Sequence, residues 1–343
     1  MREDRFWIRS RDHSKNDKIR FRNVVATFEP KSCQSDNLIN PDIRRIVLAC
    51  HYDSLSSKFV KQSGWSRRQK FVGAIDAAVP CSILLDLAQI LTPKLEKYHQ
   101  KTSTKEPRLT LQLIFFDGEE SLNSSSFSYP FSLHSKESSN THDDVNDSLY
   151  GSKHLAKLWD NFNSARFRVP PSLNNICGNE IVDIETHYQK IQNSLYRNEN
   201  IILFILLDLI GIHGTKFYNT NLATTGSFFQ LASIEKRILT HLNYTRKDVS
   251  RQFQTNPAIL ISLVRDDHRP FMIREIPTLA LIPHPFPSVW HRHSDNINSL
   301  DLSAIERFRA TLTVFIAKQF NSKLTQSKYQ NPTKSSIIND NYH

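Results

Sequence analysis

Glu119 and Glu120 stand side by side at the end of an apolar run, residues 111–120 (LQLIFFDGEE). Two carboxylates a few ångströms apart push their pKa values apart. The pair suits divided labour, one carboxylate holding a cation while the other moves protons. It also reads as a solvated acidic turn, and its chemical weight comes from the rest of the chain. His51 and Asp53, Asp76, Asp208, the run Asp266-Asp267-His268, and His291 all stand at the borders of apolar segments. Asp, Glu and His are hard-to-borderline donors suited to zinc, and a catalytic zinc takes three protein ligands and keeps a fourth position open. From these residues alone the chemistry is metal-assisted attack on a carbonyl. Each has a plainer reading too: Asp76 as a helix cap, His291 as a loop histidine, Asp208 as a structural acid bonded to loop backbone.

The elements that must position these groups are legible as short apolar runs. Residues 109–116 form a strand buried on both faces, ended by the turn Asp117-Gly118. Residues 45–50 (RIVLAC) form a second, delivering His51 and Asp53. Residues 201–209 (IILFILLDL) form a third, in which Asp208 is costly unless paired or bound. Shorter strands at 258–263 and 278–282 lead to Asp266 and to Phe286, Trp290 and His291, and 21–29 alternates as a further strand. Helical spacing covers 77–91, with Ile83, Leu84, Leu87, Ile90 and Leu91 on one face and Pro80 in the first turn. It returns at 149–159, 228–242 and 302–320. This alternation predicts an α/β fold with a mainly parallel, doubly wound sheet, and such sheets place ligands at their carboxyl edge. Residues 1–20 are expected to be a polar, partly ordered segment, 21–320 one domain interrupted by polar insertions near 123–146 and 161–200, and 321–343 a disordered tail.

Lys and Arg number 44 against 34 Asp and Glu, a net charge of +10. The basic residues are scattered, without zinc-finger spacing, RNP-like motif or basic heptads, so no nucleic-acid partner is expected. No run reaches about 18 apolar residues, so no membrane span is expected. The charged amino terminus has no apolar h-region, so no signal peptide is read in this chain. Four cysteines, Cys33, Cys50, Cys81 and Cys177, are too few for a disulfide scaffold and lack metal-type spacing.

From about residue 21 to 320 the chain resembles the glutaminyl-peptide cyclotransferases, which share a fold with the zinc aminopeptidases. The resemblance rests on LACHYDS (48–54), FVGAIDAAVPC (71–81), FFDGEE (115–120), DSLYGSKHLA (147–156), LLDLIG (206–211), DDHRPF (266–271) and IPHPFPSVWH (282–291), in that order. It implies a three-layer α/β/α sandwich with a mixed, mostly parallel central sheet, zinc aminopeptidase-like. It implies one zinc ion per chain held by Asp76, Glu120 and His291, and Glu119 as the proton-transferring residue. Asp208 and Asp266 would steady the intermediate, and Trp290, Phe286 and Val264 would line an apolar pocket for the glutamine side chain. The substrates would be peptides or proteins with N-terminal Gln, or Glu, cyclised to pyroglutamate with release of ammonia. The resemblance also implies a disulfide between Cys50 and Cys81, against the plainer reading of two buried thiols, a monomer, and residence in the secretory pathway. Three sequons, at Asn123, Asn146 and Asn243, agree with that compartment.

The chain departs from the family pattern in three places. No tryptophan follows the glutamate pair within 121–126, Arg265 stands where the family has glutamine, and the chain starts without the family's signal or anchor and amino-terminal helices, as an incomplete chain would. The rival reading is a two-zinc aminopeptidase of the same fold, for which His51 and Asp208 would be the extra ligands. A catalytically dead binding module is disfavoured because Asp76, Glu119, Glu120 and His291 are all intact.

Overall fold

The computed structural model describes residues 1–9, 18–31, 33–34, 37–56, 60, 71–120, 148–163, 184–241, 250–255 and 264–321. Strand β1 is Arg2–Arg9, β2 Lys18–Thr27, and β3 (Cys33–Gln34) with β4 (Asn37–Leu38) a two-stranded ribbon. Strands β5 (Ile43–His51), β6 (Arg108–Phe116), β7 (Ile201–Leu207) and β8 (Thr278–Leu281) follow. The main sheet runs β1-β2-β6-β5-β7-β8. The pairings β6-β5, β5-β7 and β7-β8 are parallel, whereas β1-β2 and β2-β6 are antiparallel. The sheet is therefore mixed, parallel at its centre.

Strand β5 is buried along nearly all its length, which is why it reads as a continuous apolar run rather than an alternating one. Its alternate residues feed two cores. Ile46, Leu48 and Cys50 join Leu84, Leu87 and Leu91 of helix α1 (Val79–Lys101), Leu231 of α4 (Thr225–His241), and Phe308 and Leu312 of α6 (Leu302–Gln319). Val47 and Ala49 join Leu155 and Trp159 of α2 (Tyr150–Asp160), Ile191 and Leu195 of α3 (Ile184–Tyr196), and Phe271 of the short α5 (Arg269–Met272). Helices on both faces make three layers, as expected. Pro80 does sit in the first turn of α1, where its missing N–H costs nothing.

The structure adds elements to two of the expected segments and corrects one inward residue. The polar segment 1–20 contributes β1, an edge strand whose Phe6 is buried against Phe21 and the His154 ring. Charged residues dominate it because its other face is open. The expected excursion at 161–200 holds α3, whose buried Tyr188, Ile191 and Leu195 form an apolar stripe too thin to stand out among polar neighbours. Ile90 is exposed rather than inward, and α1 buries Leu95 instead. The segment Ala74–Lys101 is long and apolar enough to cross a membrane by length and composition, yet it packs as a core helix between the sheet and α6. The expected strand at 258–263, the insertion at 123–146 and the tail beyond 321 lie outside the described residues.

Candidate metal centre

The carboxyl ends of three parallel strands deliver most of the chemistry. His51 is the last residue of β5, and Asp208 follows β7 directly. The glutamate pair follows β6 after a turn that only glycine fits. Gly118 has φ 75°, and a Cβ there would fall 2.5 Å from a ring carbon of Phe21. The carboxylate of Asp53 then accepts the backbone N–H of Glu119 at 3.2 Å and that of Glu120 at 3.1 Å. Asp76 lies in an irregular turn, Ala74–Ala78, leading into α1, so it is buried at a helix entry rather than capping the helix. Gly73 opens that turn at φ 63°, with the Asp76 carbonyl oxygen 2.3 Å from where a Cβ would sit. From behind, the carboxylate of buried Asp295 accepts the Ile75 N–H at 2.9 Å.

Asp76, Glu120 and His291, from distant parts of the chain, offer ligand atoms that all lie within 4.8 Å of one another. His291 Nε2 stands 3.3 Å from Asp76 Oδ2 and 3.6 Å from Glu120 Oε2. A second triad, His51, Asp76 and Asp208, shares Asp76. His51 Nε2 is 3.1 Å from Asp76 Oδ1 and 3.4 Å from Asp208 Oδ1, while Nδ1 is 2.9 Å from the Asp53 carbonyl oxygen, which only an N–H on Nδ1 can satisfy. All five side chains are buried. Asp76 Oδ2, Glu120 Oε1 and Asp208 Oδ1 have no hydrogen-bond partner. Buried carboxylate oxygens without donors are expensive unless a cation meets them. The donor set of carboxylates and imidazole fits zinc.

The electrostatics carry the same signature. Burial, reinforced by the Asp266 charge, holds the Glu119 carboxyl well above the usual carboxylate range. Burial and neighbouring Asp76 do the same to Glu120, and burial with Asp208 does so to Asp266. Asp76 is the exception: burial would raise it, but the imidazoles of His291 and His51 hold it low. Burial would lower His51, yet Asp208, Asp53 and Asp76 raise it well above its ordinary value. Pairs of acids driven apart in this way mark sites of proton transfer and cation binding.

Of the other expected residues, Asp266 feels the Asp208 charge and Trp290 meets the His291 ring directly. Asp266 is buried and accepts the Asp267 N–H at 2.6 Å. Trp290 packs edge-on against Phe286, centroids 4.9 Å apart, and stacks on the His291 ring at 4.1 Å. Val264 is buried in the same apolar cluster. Cys50 and Cys81 are free thiols, their Sγ atoms 3.0 Å apart. Sequence reasoning assigned no role to Asp53 or Asp295. The signal for Asp53 was its place two residues beyond His51, the spacing that repeats one face of an extended chain. Asp295, in a polar loop, gave none.

Comparison with known proteins places this geometry. A profile of peptidase family M28 matches residues 23–179 and 183–316. The chain belongs to peptidase family M28. This M28 chain is 35% identical over 298 residues to the glutaminyl-peptide cyclotransferase-like protein of Bos taurus, a match covering 87% of the chain and 60% of that relative. It is 30% identical over 306 residues to the glutaminyl-peptide cyclotransferase of Drosophila melanogaster, covering 87% of the chain and 65% of the relative. The M28 chain thus spans less than two thirds of those curated relatives. The glutaminyl cyclase of Macrostomum lignano superposes with a TM-score of 0.59 at 28% identity, over 93% of this chain and 76% of that one. A leucine aminopeptidase precursor from Bacteroides thetaiotaomicron, at 18% identity and a TM-score of 0.51 over 94% and 83% of the two chains, shares the fold.

Proposed function

We propose that this chain cyclises the N-terminal glutamine of peptides or proteins to pyroglutamate, with release of ammonia. The observation carrying the reading is the buried Asp76–Glu120–His291 triad with Glu119 beside it, and its likeness to glutaminyl-peptide cyclotransferases supports it. One zinc ion held by that triad would supply Lewis-acid polarisation of the glutamine γ-carbonyl. The α-amine nitrogen bonds to the side-chain carbonyl carbon, Cδ, as the bond from that carbon to the amide nitrogen breaks. Glu119 takes a proton from the attacking amine and gives it to the departing ammonia, a task its raised pKa suits. Asp266 and Asp208, both buried nearby, steady the polar intermediate. Trp290, Phe286 and Val264 hold the glutamine side chain and shut out water. The reading carries with it a monomer, residence in the secretory pathway, and closure of the Cys50 and Cys81 thiols to a disulfide by an oxidant of that compartment, which takes the two electrons and two protons.

A second reading rests on the second triad. Because His51 and Asp208 share Asp76 with the first, the site has donors for two ions, and two ions would suit an aminopeptidase acting on free N-termini. One experiment separates the two. Purified protein with zinc is given a Gln-initiated peptide and followed by mass spectrometry. Loss of one ammonia, abolished in Glu119→Gln with zinc still bound, is the expected result. Release of free amino acids without cyclisation overturns the cyclase reading.

A further inference from the structure

We infer that the mouth of this site selects substrates with acidic residues shortly after the N-terminal glutamine, an inference that rests on the cyclase reading. The centre is a nest of buried acids, whereas two exposed arginines stand directly beside its members. Arg265 is exposed between buried Val264 and buried Asp266. Arg292 is exposed next to buried His291. Neither has an ion-pair partner among the described residues. Their situation contrasts with that of Arg22, Arg274 and Arg309, whose charges are answered by Glu3, by Asp160, and by Asp86 and Glu306 respectively.

The backbone explains why both side chains face out. His291 is held at φ 57°, turning its imidazole inward, and the following Arg292 N–H closes a turn onto the Val289 carbonyl. After Val264, the buried Asp266 accepts from the next N–H in the chain, so the intervening Arg265 is the residue left to solvent. In the chain Arg265 precedes β8 and Arg292 follows it, the first next to Val264 of the proposed apolar pocket and the second next to His291 of the triad. With the glutamine side chain in that pocket and its amine at Glu119, the following residues leave across this rim. Unpaired guanidiniums there attract carboxylates and repel lysine or arginine side chains. The partly exposed acids Asp53 and Asp117 follow β5 and β6 instead, and their carboxylates are already engaged, Asp53 with the N–H groups of Glu119 and Glu120 and Asp117 with that of Arg22.

The test uses three peptides identical but for residues two to four, which are Glu, Ala or Lys after the N-terminal Gln. Each exposed pair is individually weak, so kcat/KM should favour the acidic peptide over the neutral one by about three- to tenfold at low salt. The preference should shrink in added salt and collapse toward unity in Arg265→Gln with Arg292→Gln. Because the readout is a ratio between peptides, a variant that merely folds less well lowers both rates and leaves it unmoved. Equal turnover of the three peptides, or a ratio unchanged in the double variant, overturns the inference and leaves cyclisation standing. Binding of phosphatidylserine vesicles, lost in the double variant without any peptide discrimination, also overturns it. Cyclisation of none of the three overturns the cyclase reading and this inference with it.

Discussion

Asp53 belongs to neither triad, yet its carboxylate fixes two successive backbone N–H groups, those of Glu119 and Glu120. A charged acceptor on an N–H is worth about 1.5–3 kcal/mol. In Asp53→Asn one oxygen becomes an NH2 group facing an N–H, so the two glutamates lose their common reference. The expected outcome is a fall in kcat of roughly ten- to a hundredfold at saturating zinc, together with weaker zinc binding through Glu120, checked by steady-state kinetics and metal titration. At this scale the sequence was most legible for Glu119, Glu120, Asp208 and His51, which terminate apolar strands. Asp76 and His291 were noted with them, but their pairing with Glu120 as ligands came from resemblance, because an irregular turn and a long loop bring them in. Neither leaves a periodic trace.

Arg45 shows how one buried side chain can tie several elements together. It lies within β5, fully buried, with its guanidinium 4.8 Å from the Trp159 ring centroid of α2. It donates to Gln112 Oε1 of β6 at 2.8 Å and to the Leu195 carbonyl of α3 at 2.6 Å, and also to the Arg197 carbonyl. Burial pushes its pKa down to about 9. Arg45→Met would fill the space but orphan Gln112 Oε1 and the Arg197 carbonyl, the Leu195 carbonyl keeping Gln112 Nε2 at 3.2 Å, and would cost about 2–4 kcal/mol. The expected outcome is a lower Tm together with faster amide exchange in α3, while zinc content is retained. The sequence predicted β5, β6, β7, α1 and α6 because their apolar patterns are dense. It missed β1 and α3, each of which buries only one thin face on a fold the rest of the chain has already made.

For the whole molecule, the buried acids set how stability depends on pH. Burial raises Asp267 and Asp295 to about 7, and raises Glu119, Glu120 and Asp266 as well. A carboxyl with a raised pKa in the folded state stabilises fully below its unfolded pKa, about 4. That stability is lost as pH rises through the folded pKa. Asp76, held low, works in the opposite direction. Metal-free protein is therefore expected to lose Tm as pH rises from about 5 to about 7.5. Added zinc, which would displace the proton from Glu120 and favour the charged forms of the acids around it, should flatten that slope. Thermal unfolding with and without chelator across the range checks both.

Strand β1 closes one side of the sheet and leaves its outer row of backbone groups without a strand partner among the described residues. Five of its eight residues, Arg2, Glu3, Asp4, Arg5 and Arg9, are charged, so a second copy docking there in parallel register would bring like charges face to face. The same charges that make the opening of the chain look unstructured thus act as a guard against stacking of molecule on molecule. Neutralising them would turn a harmless border into a seam along which fibres could grow.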